Sequence, residues 1–480
     1  MLLAFASTLP FFLFNHAMYF DEVQAWQIAR HTKGIFDLAS QLRYEGHPML
    51  WYLLLYFPSH LSKHLIWMQI VNYYIAIGTA AVIVFERRIA LWVRPAILFS
   101  GTFFFYMGTV SRSYMLAGIL LIVAARFFTS KTDHHWMGVV SLALAINTHV
   151  LAIPIALAIF LRLYCLKPDR LGAASVSRWR LVGPIGILLA ALVFCYFTVR
   201  PAPDIWTPQY DPMGSNPARF LVLGFGSIWR NFLYMPPAIL VGRAAAVLSQ
   251  PSLVDPMLTL VLFLLAFLAL PSRAARIFFL WAAVLWTGVV WATVHRPTGF
   301  HQTFLFVSYV IALTLRSDDD PDRTIVPRMI SQLLLVFLLA SEMLLCLDLT
   351  NRERNTSFSA SSSIAEWIGR NGLFNHPLVF TPDTNAPAVL GYLGAESAYL
   401  PSCRCSGSFV VFRKGRDPYL QVHAQELDAL QSEYGSYPVL VTLFPLSNDD
   451  LRSLKLNFAY GPSKRSWGGE DAIVYIRTGR

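Results

Sequence analysis

Tyr19-Phe20-Asp21-Glu22 closes an apolar run that begins at residue 2, so two adjacent carboxylates fall where a hydrophobic segment meets water. Charge is costly near hydrocarbon, and an acid pair kept at that boundary points to function. A second cluster, Tyr44-Glu45-Gly46-His47-Pro48, opens another apolar run at 49–57. Both clusters therefore belong to one loop, residues 21–64, on one aqueous side of a membrane. The rest of the chain reads as scaffold around them.

Of the 480 residues, 55% are hydrophobic and only 14% charged, which excludes an ordinary soluble globular chain. The net charge of +10 does not point to nucleic acid, because no basic cluster is interleaved with aromatics and the Lys and Arg mostly punctuate apolar runs. Five cysteines cannot build a disulfide framework; Cys165, Cys195 and Cys346 lie in apolar runs and read as packing. Cys403-Arg404-Cys405 leaves a strained disulfide, packing or pairing with a partner open, and is too small for a zinc site. The start of the chain has no basic n-region and no small-residue cleavage site before the acid pair, so the first run is expected to be a retained span.

Apolar runs able to cross ~30 Å of hydrocarbon fall near residues 2–20, 65–85, 95–109, 114–128, 136–147, 149–165, 182–199, 257–270, 277–294, 303–315 and 329–347, about eleven spans. Arg87, Arg88, Arg94, Arg273, Arg276 and other basic residues crowd the connections after the even-numbered runs, at roughly three times the density of the other side. That places the start of the chain in the cytoplasm and both acidic clusters outside it. The outer loop 200–256 is rich in Pro, Gly and aromatics, suiting a folded cap.

After a Ser-rich stretch at 355–363 the pattern changes. Strand-like segments at 378–380, 409–412, 439–443 and 472–476 alternate with helix-like ones at 364–370, 423–434 and 449–455. The expected fold is thus mainly α: a polytopic transmembrane helix bundle over residues 1–350, with a small extracytoplasmic α/β domain over 351–480. It contains no Gly-rich phosphate loop, and the chain shows no internal repeat.

In its motifs the sequence resembles the GT-C superfamily of membrane glycosyltransferases, especially the branch of protein O-mannosyltransferases and lipid A aminoarabinose transferases. Phe20-Asp21-Glu22 looks like that branch's acidic motif after the first span, and Glu45-Gly46-His47-Pro48 like its acid-x-His-Pro motif opening the next apolar segment. The chain departs at Glu45, where the mannosyltransferases usually have Asp, and at Met49, where they have a second proline. The resemblance implies an inverting enzyme of the bacterial type in the plasma (inner) membrane. It would move a sugar from a polyprenyl-phosphate-linked donor in the membrane lipid to an extracytoplasmic glycan, lipid or protein acceptor.

Such a transfer needs a base for the acceptor hydroxyl, and a carboxylate in a partly dry pocket suits that role. Asp21 is assigned to it and Glu45 is the second catalytic carboxylate; Glu22 and His47 are expected to bind substrate. Against these stand blander readings, with Glu22 a solvated neighbour and Pro48 opening a helix that the polar residues merely cap. The phosphate leaving group needs cations or donors. Arg112 and Tyr114, which resemble a family Arg-x-Tyr element, and His295, Arg296 and His301 before the tenth run are the candidates, with His149 a further one. The bland alternative for Arg112 is snorkelling, and a histidine at a helix junction, as His149 is, more often has a structural role. Asp21, Glu22, Glu45, His47 and His149 lack a local ligand spacing, so no metal is assigned, although some GT-C enzymes use a divalent ion. The main alternatives are a transporter or lipid flippase, which should carry charges within its spans, and an inactive envelope scaffold.

Overall fold

The computed structural model describes residues 1–130, 134–165, 179–205, 218, 220–234, 253–293, 298–315, 327–417, 420, 422–462 and 465–477. The chain divides into two compact units. One comprises Met1–Pro10, Asn72–Phe197 and Gln209–Thr350; the other comprises Phe11–Val71, Thr198–Pro208 and Asn351–Arg480. The protein is mainly helical, with one six-stranded sheet.

Four helices are long and apolar enough to cross a membrane: Ile66–Val84, Leu181–Val199, Arg273–Ala292 and Arg328–Asn355. In Leu181–Val199 only 22% of the apolar window is buried, as expected of a helix whose solvent is lipid. The chain is therefore a membrane protein. Six further apolar helices have 10–17 residues, so among the described residues length and composition mark four crossings rather than eleven.

Two expected spans are broken. The run 2–20 yields a helix only over Leu2–Leu13, and a new helix, Phe20–His31, starts at the acid pair. Asp21 and Glu22 thus sit in the first turn of a helix, where the backbone dipole favours anions, rather than at the end of a span. The run 95–109 breaks at Ser100, whose extended backbone separates the helix Val93–Leu98 from a π-helix, Gly101–Thr109. The Ser100 hydroxyl accepts from the Phe103 N–H at 3.0 Å, satisfying a donor that the helix start would orphan.

The first unit packs its helices closely through small residues. A Cβ on Gly138 would come within 2.5 Å of the Phe128 ring, so the helix His135–Ile146 approaches Ser113–Thr129 as it does because that position has no side chain.

In the second unit, the sheet runs β3-β2-β1-β4-β6-β5, with β1 Leu378–Thr381, β2 Ala398–Leu400, β3 Cys405–Gly407, β4 Val439–Thr442, β5 Leu456–Tyr460 and β6 Ile473–Arg477. β1 lies parallel to β2 and to β4, with Val379 opposite Tyr399 and Leu440; the other pairs are antiparallel. Helices cover both faces. Ile364, Ile368, Val389 and Leu390 pack with Phe380, Val441 and Val474 on one face, and Leu427, Leu430 and Leu454 pack with Val379, Leu440 and Tyr475 on the other. Coverage on both sides explains why β1 and β4 are continuous apolar runs rather than alternating ones.

The strand expected at 409–412 does not form. The Gln24 side chain donates to the Val410 carbonyl at 2.7 Å and accepts from the Val410 N–H at 3.0 Å, taking the place of a neighbouring strand. Cys403 and Cys405 form a disulfide. Likewise the helix after Pro48 begins at Leu50, not at the proline.

Candidate functional site

The start of the helix Phe20–His31 gathers three carboxylates and gives each a different environment. Glu22 is 0% exposed. It accepts from the Tyr19 N–H at 3.2 Å, closing the helix cap, and lies 3.0 Å from His16 Nε2. The other ring nitrogen of His16 is 3.0 Å from Glu353, whose second oxygen accepts from the Trp467 indole at 3.0 Å. Phe358 packs against His16, Tyr19 and Trp467 and closes the network from water. Burial pushes the His16 pKa down, but Glu22 and then Glu353 outweigh it and raise it to about 10. The result is an imidazolium clamped between two carboxylates, an interior ion network with every member hydrogen-bonded.

Glu470 is the second carboxylate. Both its oxygens accept from the Phe20 N–H, at 3.0 and 3.1 Å, and Ser359 donates to one of them at 3.1 Å. Glu470 is partly exposed as a residue, yet its carboxyl is enclosed. Burial raises its pKa to about 7 against those hydrogen bonds, and the charges of Asp21 and Glu22 push it the same way.

Asp21 is the third, partly exposed, with the Tyr19 hydroxyl donating to it at 3.4 Å. Gln24 follows one turn later on the same helix face. Its amide also donates to Glu45 at 2.6 Å, which draws the second acidic cluster to that face. Asp21 and Glu45, both partly exposed, therefore border the same N-terminal stretch of the helix. His47, by contrast, bonds locally: its Nδ1 lies 3.1 Å from the Glu45 carbonyl.

In the other unit, Arg112 precedes the helix Ser113–Thr129, with its guanidinium 5.3 Å from the ring centre of Tyr114. Tyr114 is buried and stacks on Phe300, and its ring lies 5.0 Å from that of His149. His149 packs on Phe304 and accepts from the Leu151 N–H at 3.1 Å. His301 caps its own helix, accepting from the Thr298 N–H at 3.1 Å. The structure thus brings Arg112, Tyr114 and His149 into one aromatic cluster and gives His301 a local partner. His295 and Arg296 lie outside the described residues.

Among the described residues no group of three or more His, Cys, Asp or Glu is arranged to hold a metal ion. The carboxyl end of β1, where an open α/β sheet would take a ligand, is filled by the chain itself. Buried Asp383 there accepts from Arg416, with Nε at 2.9 Å, and from Ser402.

Sequence reasoning did not single out His16, Gln24, Glu353 or Glu470. Gln24 carried a signal, since it follows Asp21 by three residues and must share its helix face. His16 stood inside an apolar run, where a polar residue is costly. Glu470 and Glu353 are joined to the site by tertiary contact alone. Compared with known proteins, the chain matches no family model, no curated protein and no solved structure.

Proposed function

We propose that this chain is an inverting glycosyltransferase that moves a sugar from a polyprenyl-phosphate-linked donor to an extracytoplasmic acceptor. The observation that supports it best is the sorting of carboxylates at the start of the helix Phe20–His31. Glu22 is sealed against His16, Glu470 is poised near neutral pH by burial, and Asp21 is left at the surface. Asp21, partly exposed at the start of this helix, is the carboxyl proposed to take the proton of an incoming hydroxyl.

In this reading Asp21 takes the acceptor proton as the acceptor oxygen attacks the anomeric carbon. The bond from that carbon to the phosphate oxygen breaks, and its electron pair leaves on the polyprenyl phosphate. Glu45, fixed by Gln24, orients a substrate hydroxyl. Arg112 and Arg296 are the residues proposed to contact a donor phosphate, and the Arg112 guanidinium lies 5.3 Å from the ring centre of Tyr114. The full topology of about eleven crossings belongs to this proposal, as do a bacterial plasma membrane and an extracytoplasmic position for residues 351–480.

The test is to incubate purified protein with a panel of radiolabelled polyprenyl-phosphate sugars and membrane acceptors. Transfer of label with release of the polyprenyl phosphate supports the reading. No transfer from any donor, by protein whose folding is verified, overturns it. A reporter fused to the end of the chain tests the sidedness, since activity in the cytoplasm contradicts the proposed orientation.

A further inference from the structure

The disulfide between Cys403 and Cys405 sits at the edge of the six-stranded sheet, where Cys405 opens β3, the outermost strand beside β2. Its ring closes around a single residue, Arg404. A cross-link stabilises a fold chiefly by restricting the unfolded chain, and the effect grows with the loop it closes, so a ring this small contributes little as a staple. Both cysteines and Arg404 are exposed, which leaves the bond open to attack from solvent. Within the ring Arg404 holds φ at 50°, in the left-handed region that a residue with a Cβ adopts at a cost. The Arg404 side chain is 67% exposed and only loosely paired, its Nε 3.5 Å from Glu426. The oxygens of Glu426 already accept from the Tyr399 hydroxyl at 3.0 Å and the His423 N–H at 2.9 Å. A positive charge on the residue between two sulfurs favours a departing thiolate.

We infer that Cys403 and Cys405 form an exchange-active disulfide that accepts an electron pair from an external dithiol. A thiolate of the dithiol attacks one of the two sulfurs and bonds to it. The Cys403–Cys405 bond breaks, and its electron pair leaves on the other cysteine as a thiolate beside Arg404. The second thiolate of the reductant then attacks the mixed disulfide, closes its own disulfide and releases the remaining cysteine. The dithiol gives up two electrons and two protons, and the cysteine pair takes both. A monothiol stops halfway, because the freed cysteine, one residue from the mixed disulfide, expels it again. The other three cysteines belong to the other compact unit, each in an apolar helix, with Cys195 and Cys346 buried. The pair thus has no third thiol in its own unit, and the reductant comes from outside the chain.

Dithiothreitol added to the purified full-length chain at neutral pH, with alkylation and peptide mass measurement, reads the pair directly. Cys403 and Cys405 are expected to become alkylated together, at a rate no more than about tenfold below that of oxidised glutathione under the same conditions. The unfolding temperature of the reduced chain should stay within about 2 °C of the oxidised one, as befits a ring that closes so short a loop. Glutathione at the same thiol concentration should leave neither a reduced pair nor an accumulated mixed disulfide. Arg404→Glu should slow the reaction roughly three- to tenfold at low salt, and Arg404→Lys should keep it. A slower parent rate, or a larger fall in unfolding temperature on reduction, marks a structural staple and overturns the assignment. So do a glutathione adduct that accumulates and an unchanged rate in Arg404→Glu; if that variant does not fold, the parent rate still decides.

Discussion

The start of the helix Phe20–His31 and the cavity beside Glu342 both bury a carboxylate, and they satisfy it in opposite ways. Glu22 faces a histidine held charged by two acids, with tryptophan and backbone donors completing the network. Among the described residues Glu342 is bonded only by the neutral donors of Thr102, and a tyrosine hydroxyl without a partner among them belongs to a residue bordering the same cavity. A buried acid whose cation is supplied within the fold holds structure together, and breaking the pair leaves an uncompensated charge. A buried acid among neutral donors depends on those donors alone for its hydrogen bonds. Burial alone does not separate the two; the inventory of partners does.

The largest effect expected from this contrast is on stability. His16→Ala leaves Glu22 and Glu353 buried without their shared cation and should cost about 3–5 kcal/mol. Thermal unfolding in detergent measures it, and a variant as stable as the parent would dissolve the distinction between the two regions. Next comes Asp21→Asn, which keeps the shape of the partly exposed acid and removes its charge. Transfer should fall by roughly a hundredfold or more while the unfolding temperature holds. If stability falls as well, Asp21 is part of the framework like Glu22.

A pH effect follows in size. Glu470 has a folded pKa of about 7, raised above its ordinary carboxylate value, so the folded state binds more protons than the unfolded one between those two values. Its contribution is fully present at low pH and is lost as pH rises through 7, by an amount of order 1–3 kcal/mol. Subtracting the stability profile of Glu470→Gln from that of the parent isolates this window, and a flat difference would contradict it. His16 titrates in a separate window, its contribution being lost as pH rises through 10. The smallest effect is expected at the cavity. Tyr309→Phe removes a hydroxyl that has no partner among the described residues and should change stability by less than about 0.5 kcal/mol, in either direction. A loss of more than about 1 kcal/mol would show that the hydroxyl is already satisfied within the fold.

Much of the architecture was legible because burial writes itself into hydrophobic runs. β1, β4 and β6 are buried enough to stand out as apolar segments, and the helices Ser361–Arg370, Ala424–Tyr434 and Asn448–Leu454 fall where the pattern placed them. β2 and β3 were missed because each is three residues long, and Cys405-Ser406-Gly407 has little strand preference of its own; pairing with β2 makes it a strand. The helix start at Phe20 was hidden by continuous hydrophobicity, although Asp21 and Glu22 in sequence are an ordinary first-turn signal. At the site, Asp21, Glu22 and Glu45 could be picked out by type and position. What each carboxyl faces depends on residues 353, 359 and 470, which no local pattern ties to residue 20.

The grip of Gln24 on Val410 matters before the protein is finished. Phe409-Val410-Val411-Phe412 is short, uncharged, free of proline and rich in strand formers, the composition that stacks into intermolecular sheets when its backbone is bare. A ribosome makes Gln24 386 residues before this segment emerges, so the amide that matches the Val410 backbone already exists when the risk appears. In the folded chain that amide satisfies the Val410 N–H and C=O, so Gln24→Ala is expected to raise aggregation and lower the yield of the full-length chain.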